Sequence, residues 1–149
     1  MGLKKVIFLI SLLCLLTILW YYKGKNEKRP AEIVLEKNNI GFTVRIISYN
    51  KSTDRAFGVI KFKIIKSNKE AFNISDPKLL YPYRLEKGYG EFYGYIPLGI
   101  MAGQLIRLDA GEKSAKLYNG KIEFAKTSVF VTSERKFIEY VNEHTSFDR

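Results

Sequence analysis

The chemically most distinctive stretch of this sequence is rich in tyrosine and glycine. Residues 81–95 read YPYRLEKGYGEFYGY. Tyrosine offers a large amphipathic contact area at low entropic cost and is enriched at binding surfaces, although aromatic rings also pair across strands inside sheets. We therefore hypothesise that a binding surface is formed by Tyr89, Tyr93, Tyr83 and Tyr95. We expect Tyr89 to be the most exposed of them and Phe92 to lie in the core.

Residue types that perform catalysis or bind metals do not converge in this sequence. Glu86 and Glu91 flank a glycine-rich connection, and Asp109 and Glu112 flank a turn, so solvation explains them better than general acid–base work. His144 is the only histidine, so a histidine-based metal site or a serine–histidine pair would rest on this one residue near the C-terminus. The single cysteine has no second cysteine with which to form a disulfide. Carboxylate runs for calcium and phosphate-binding glycine motifs do not occur. The sequence predicts no enzyme, no metal and no cofactor.

An uninterrupted apolar run near the N-terminus is the second distinctive feature. Residues 6–22, VIFLISLLCLLTILWYY, contain no charge, glycine or proline, and basic residues flank the run on both sides. A helix of this length is roughly 26 Å long, at the short end of what a hydrocarbon core of about 30 Å needs. We predict an uncleaved transmembrane anchor over residues 1–22. Its membrane-facing residues would be Val6, Leu9, Leu13, Leu16, Leu19 and Trp20.

Three alternatives compete with an anchor. A cleaved signal peptide would have a shorter apolar region and a small-x-small cleavage site, whereas this run ends in the aromatic residues 20–22. A lipoprotein signal would place small residues before Cys14, where two leucines stand. A buried core helix would be amphipathic, and this run is apolar all round.

The distribution of charge bears on orientation and partners. Four basic residues lie after the run and two before it, but a short basic head usually stays inside while the rest of the chain is translocated. We expect the domain outside the cytoplasm, in the periplasm or at the cell surface. The net charge is +10, and residues 1–30 hold six of the basic residues and one acidic residue. Lys61, Lys63, Lys66 and Lys69 fit the solvated face of a strand, so we expect no nucleic-acid partner.

After a basic linker at 23–30, residues 31–149 divide into short segments that alternate between apolar and polar residues. Turn residues recur about every ten positions, which is typical of a sandwich or barrel. Strands are predicted, with varying clarity, at 33–35, 40–49, 57–66, 72–74, 79–85, 92–96, 104–108, 115–118, 122–124 and 128–132. Asn119-Gly120 is a hairpin signal. Residues 133–144 favour a helix with Ser133 as its N-cap, and a final strand is the alternative.

Four of these segments occur in an order found in a known class of bacterial domain. They are a strand ending near Asn68, an exposed return at 72–75, the turn LDAGE at 108–112 and the strand segment IEF at 122–124. With them, residues 40–126 resemble small immunoglobulin-like domains that follow an anchor or a lipoprotein signal. The resemblance implies a non-enzymatic sandwich and carries over no site residues. The predicted fold is therefore mainly β, an immunoglobulin-like antiparallel β-sandwich with an N-terminal transmembrane helix and a short C-terminal helix.

These features predict a non-enzymatic binding module anchored in the cytoplasmic membrane. Its partners would be the lipid bilayer, through residues 6–22, and a protein of the cell envelope. An accessory subunit of an envelope complex and an immunity-type protein that neutralises an incoming toxin both meet this description. The alternative is a domain that binds carbohydrate or an envelope polymer through its tyrosine-rich loop.

Overall fold

The computed structural model describes residues 3–26 and 29–147. These residues form three helices and seven strands. The helices are α1 (Leu3–Asn26), α2 (Pro30–Asn38) and α3 (Arg135–His144). The strands are β1 (Phe42–Lys51), β2 (Phe57–Ser67), β3 (Tyr83–Glu86), β4 (Tyr89–Tyr95), β5 (Leu105–Leu108), β6 (Ser114–Asn119) and β7 (Ile122–Ser128). The chain separates into two compact units, one ending at Ile33 and the other beginning at Val34.

The first unit consists mainly of α1, whose described side chains are exposed. Its hydroxyl groups are satisfied within the helix, because Ser11 and Thr17 donate to carbonyls three residues earlier at 2.9 and 2.8 Å. In the part of the chain that the structure describes, no helix is long and apolar enough to cross a membrane. Four of the predicted membrane-facing residues are exposed on α1, namely Leu13, Leu16, Leu19 and Trp20. The side chains of Val6 and Leu9 lie outside the described ones.

The expected linker and first strand take helical form instead. α1 continues to Asn26, so the first part of the segment 23–30 is helical. The strand predicted at 33–35 is wrong, since these residues belong to α2. Pro30 is suited to the first helical position, where its missing N–H costs nothing, and Lys37 lies favourably in the last turn. Asn39 ends the helix with a positive φ of 47°.

The second unit is built on one antiparallel sheet of seven strands in the order β3-β4-β2-β1-β5-β6-β7. The prediction of a mainly β, sandwich-like antiparallel architecture is confirmed at that level. Register shifts after Thr43 and after Ile46 bend β1, because bulges increase the local twist of a strand. The sheet curls far enough for the Thr127 hydroxyl on β7 to donate to the Tyr95 carbonyl on β4 at 2.7 Å. One face of the sheet therefore encloses the core and is called the inner face here.

Alternation explains which side chains fill that core. Phe42, Val44 and Ile46 of β1 point to the inner face, as do Ile60 and Phe62 of β2, and all are buried. The rings of Phe42 and Phe62 stack with centroids 5.7 Å apart. The predicted core position of Phe92 is also confirmed, because its side chain is fully buried.

Two glycines of β4 admit aromatic rings into the core. A Cβ at Gly90 would collide with the Phe62 ring, and one at Gly94 would collide with the Phe92 ring. Both glycines are buried within the strand rather than placed in a flexible connection. Gly90 and Gly94 therefore reflect close packing, whereas Gly88 lies in the exposed turn between β3 and β4 with a φ of 83°.

The predicted C-terminal helix is confirmed as α3, and it covers part of the outer face of the sheet. Phe137 stacks on Phe57 of β2 with ring centroids 4.0 Å apart and planes within 2°. Ile138 and Val141 are buried in the same cluster. Ser133 does not cap the helix, because the N-cap is Glu134, which makes no side-chain capping bond.

The strands predicted at 72–74 and 128–132 are also wrong. Residues 72–74 contribute only an isolated bridge from Phe72 to Leu85, and Thr132 makes only an isolated bridge to Leu80. The prolines at positions 77 and 82 lack the N–H that a ladder requires, which keeps the chain between β2 and β3 irregular.

We predict that residues 31–149 fold without the N-terminal helix, because the second unit contains its own core. The separated domain should be soluble, give a circular dichroism spectrum dominated by β-structure and unfold in one cooperative transition. A helix-dominated spectrum, or the lack of a cooperative transition, would contradict this expectation.

Candidate functional site

The four tyrosines predicted to form a binding surface are distributed over both faces of the sheet. Tyr89, Tyr93 and Tyr95 occupy alternate positions of β4 and point to the outer face. Tyr83 of β3 points to the inner face and is buried. Tyr89 is 50% exposed and is the most exposed of the four, as expected, whereas Tyr93 is 6% exposed.

Tyr83 and Tyr93 are part of the packed interior. The Tyr83 ring contacts Phe42 edge-on with centroids 5.4 Å apart, and burial raises the pKa of its phenol. The Tyr93 ring lies in the cluster beneath α3, and its hydroxyl donates to Glu91 Oε2 at 2.8 Å. The expectation that Tyr93 would be the second most exposed tyrosine is therefore wrong, because α3 covers that part of the outer face.

Glu91 is a buried carboxyl group that no feature of the sequence predicts. Its place beside a glycine-rich connection suggests a solvated residue, yet it lies within β4 and is 1% exposed. Besides the Tyr93 hydroxyl, the Thr145 hydroxyl donates to it at 2.6 Å and the Ser146 amide at 2.7 Å. The residues that follow α3 are thereby fixed over the centre of β4. No local pattern could have shown this, because the bonded groups are more than fifty residues apart in the chain.

Tyr95 and Tyr89 lie at opposite ends of β4. Six residues of strand separate them by roughly 20 Å. Tyr95 packs among aromatic rings, stacked on Phe130 with centroids 5.8 Å apart and edge-on to Phe57 at 5.9 Å. The four tyrosines therefore do not form one surface, and Tyr89 alone borders the open part of the outer face.

That open part of the outer face is strongly basic. Tyr89 pairs in register with Lys63, which pairs with Arg45. A parallel row of register partners crosses the sheet through Lys66, Thr43, Arg107, Lys116 and Lys126. Cross-strand partners share a face of the sheet, so these side chains project together. We call the set the basic face, and its members are Arg45, Lys61, Lys63, Lys66, Arg107, Lys116 and Lys126.

Carboxylates compensate one side of the basic face and leave the other side uncompensated. Asp109 Oδ1 accepts from Arg107 Nε at 2.7 Å, and Lys116 Nζ lies 3.6 Å from Asp109 Oδ2. The hydrogen bond from Arg107 holds the pKa of the Asp109 carboxyl below its usual value, so this carboxyl stays ionised. Lys61, Lys63 and Lys66 form no ion pair with any residue that the structure describes. The uncompensated charge therefore lies on β2.

A shallow cleft opens at one end of this uncompensated region. It measures about 450 Å³. Its walls include the side chains of Thr43, Lys66, Arg107 and Asp109. The cleft thus joins Lys66 of β2 to the ion pair that Arg107 of β5 forms with Asp109.

A second exposed surface is apolar and centres on the loop between β4 and β5. Ile100 is buried and anchors the loop, whereas Leu98 is 85% exposed and Met101 is also exposed. The buried side chain of Gln104 braces this arrangement. Its Oε1 accepts from the Met101 amide at 2.9 Å, and its Nε2 donates to the Gly99 carbonyl at 3.2 Å.

Neighbouring strands extend this apolar region. The Phe124 ring of β7 lies 4.0 Å from the point where a Cβ on Gly99 would stand. The loop is tied to β1 because Gly103 donates to the Ile46 carbonyl at 2.8 Å, beside exposed Ile47. We call this region the apolar surface, and its members are Ile47, Leu98, Met101, Ile122 and Phe124, all exposed.

Within residues 3–26 and 29–147, no group of three or more His, Cys, Asp or Glu side chains is placed to hold a metal ion. The Glu86 and Glu91 carboxyls are also not brought into one open site, because Glu91 is buried. Comparisons with protein-family models, with curated proteins and with solved structures gave no match.

We predict different stability effects for two tyrosines of the same strand. Tyr93→Phe should lower the free energy of unfolding by about 1–3 kcal/mol, because it removes a donor from a buried acceptor. Tyr89→Phe is the matched control and should change it by no more than about 0.5 kcal/mol, because its ring is half exposed. Urea titration of both variants measures the difference, and equal effects would contradict the assigned role of the Tyr93 hydroxyl.

Proposed function

We propose that this chain is a non-enzymatic binding module that α1 holds at a lipid bilayer and that binds a protein through its apolar surface. The observation that carries this proposal is the braced loop that exposes Leu98 and Met101. Large contiguous apolar patches are uncommon on monomeric soluble proteins and typically mark interaction sites. The fixed loop also reduces the ordering entropy that binding would otherwise cost.

A protein partner suits this surface better than a small molecule does. Pockets for small ligands are concave and enclose most of the ligand. Leu98 and Ile122 instead project into solvent, as residues that are 85% and 73% exposed. Projecting apolar side chains can fill pockets on a partner and act as the centre of an interface.

The proposal for α1 rests on its exposed side chains. It is a helix of 24 residues, and its described leucines, isoleucines and Trp20 are exposed. Removing apolar area from water contributes roughly 25 cal/mol per Å², so lipid contact would stabilise such a helix. We place the domain on the outer face of the cytoplasmic membrane, where an accessory subunit of an envelope complex or an immunity-type protein would act. An immunoglobulin-like sandwich stays a prediction for residues 31–149.

We predict that the apolar surface is required to capture the partner. The double variant Leu98→Ser, Met101→Ser should retain at least tenfold less partner when the tagged full chain is recovered from its own membranes, because apolar anchors dominate interfaces. Ile65→Ser is the matched control, since Ile65 is an exposed apolar residue of β2 outside the apolar surface. Undiminished capture by the double variant would contradict the assignment.

We also predict that α1 determines where the domain resides. Protease added to spheroplasts should digest the domain, and removal of residues 1–26 should release it from the membrane fraction. Protection until the membrane is lysed would place the domain on the cytoplasmic side. Retention of the shortened chain at the membrane would show that α1 is not what holds it there.

A further inference from the structure

The uncompensated part of the basic face forms a track along β2. Lys61 and Lys63 are two residues apart on one face of the strand, or roughly 7 Å, and Lys66 comes after the register shift. Arg45 stands beside Lys63 on β1, and its Nη1 donates to the Gly103 carbonyl at 3.2 Å. The track ends in the cleft between Lys66 and Arg107.

The carboxyl groups near the track are already engaged. Glu91 is the register partner of Lys61, but it is buried and bonded to Tyr93, Thr145 and Ser146. Asp109 is held by Arg107 and Lys116. On the other side of Tyr89, Glu86 Oε2 lies 3.5 Å from Arg84 Nη2. A ligand that approaches β2 therefore meets ammonium groups with no carboxylate partner among the described residues.

We propose that this track binds a linear phosphate-bearing polyanion, which lies along β2 from Lys61 to the cleft at Lys66 and Arg107. Ammonium groups on long stems bind phosphates as mobile point charges, and the Arg45 guanidinium can contact two oxygens of one phosphate. The half-exposed Tyr89 ring borders the track at Lys63 and adds an aromatic face and a hydroxyl. The track adjoins the loop of the apolar surface through the bond from Arg45 to Gly103, but it shares no residue with that surface and does not depend on the protein partner proposed for it.

An acidic protein fits the track less well than a polyanionic chain. Protein interfaces need a desolvated centre with apolar or aromatic anchors. Near the track, Leu105 and Tyr118 are half-buried, which leaves Ile65 and Tyr89 as the exposed apolar or aromatic side chains, too few for such a centre. Lysine heads in a line instead provide the sequence-independent charge that polyanions bind through counterion release.

The test uses the full chain in neutral detergent micelles and fluorescently labelled linear polyphosphate. Affinity should fall as salt rises, with a log–log slope of about −0.7 for each cation engaged, the value known for flexible single strands. Lys63→Gln combined with Lys66→Gln should reduce the slope by about 1.4 and weaken binding at low salt at least tenfold. Lys78→Gln combined with Lys136→Gln is the matched control, because both lysines are exposed and lie outside the basic face.

Two competitors identify the ligand. If micelles that contain phosphatidylglycerol displace polyphosphate from the wild type and micelles that contain phosphatidylcholine do not, the phosphate belongs to lipid headgroups. If neither lipid displaces polyphosphate, the ligand is a soluble polymer. The second result supports the proposal, and the first overturns the linear polyanion in favour of a lipid surface. Equal loss of binding in the control variant, or tighter binding of polyglutamate than of polyphosphate at matched charge, would overturn the proposal.

Discussion

The packing of α3 on the outer face of the sheet is the interaction on which the rest of the structure depends. A curled antiparallel sheet buries its inner face, but its outer face needs a cover wherever it is apolar. The stack of Phe137 on Phe57, with ring centroids 4.0 Å apart, provides that cover over β2 and β4. Where α3 ends, the bonds from Thr145 and Ser146 to Glu91 extend the cover along β4. The part of the outer face that stays open is therefore the basic face.

The two open surfaces differ in chemistry and are suited to different tasks. The charges of the basic face attract anions at a distance, and salt weakens this attraction. The apolar surface stabilises a complex only at contact, when its side chains are removed from water. Each is held by rigid elements, the first by paired strands and the second by Gln104 under the loop. The two surfaces have no residue in common, so the two proposed ligands can be tested with separate variants.

Close packing also explains why the tyrosine-rich stretch 81–95 does not form the single binding surface that its composition predicts. Gly90 and Gly94 occupy positions where a side chain would collide with Phe62 or Phe92. The same stretch therefore supplies core rings, a buried carboxyl group and two exposed tyrosines, Tyr89 and Tyr95, at opposite ends of β4. Composition reports that aromatic residues are abundant, but it does not report which face of a strand a helix will cover.

Local periodicity by itself determined the strands of β1 and β2, the outward direction of Lys61 and Lys63, the hairpin at Asn119-Gly120 and the apolar side of α3. These features depend on residues within one or two turns or strand repeats, so the chain encodes them locally. Only the tertiary structure decided that Tyr93 and Glu91 are buried, that Gln104 braces the apolar loop and that the lysines of β2 adjoin Arg45 and Arg107. Each of these depends on groups brought together by strand pairing or helix docking, and such contacts between distant residues leave no period in the sequence.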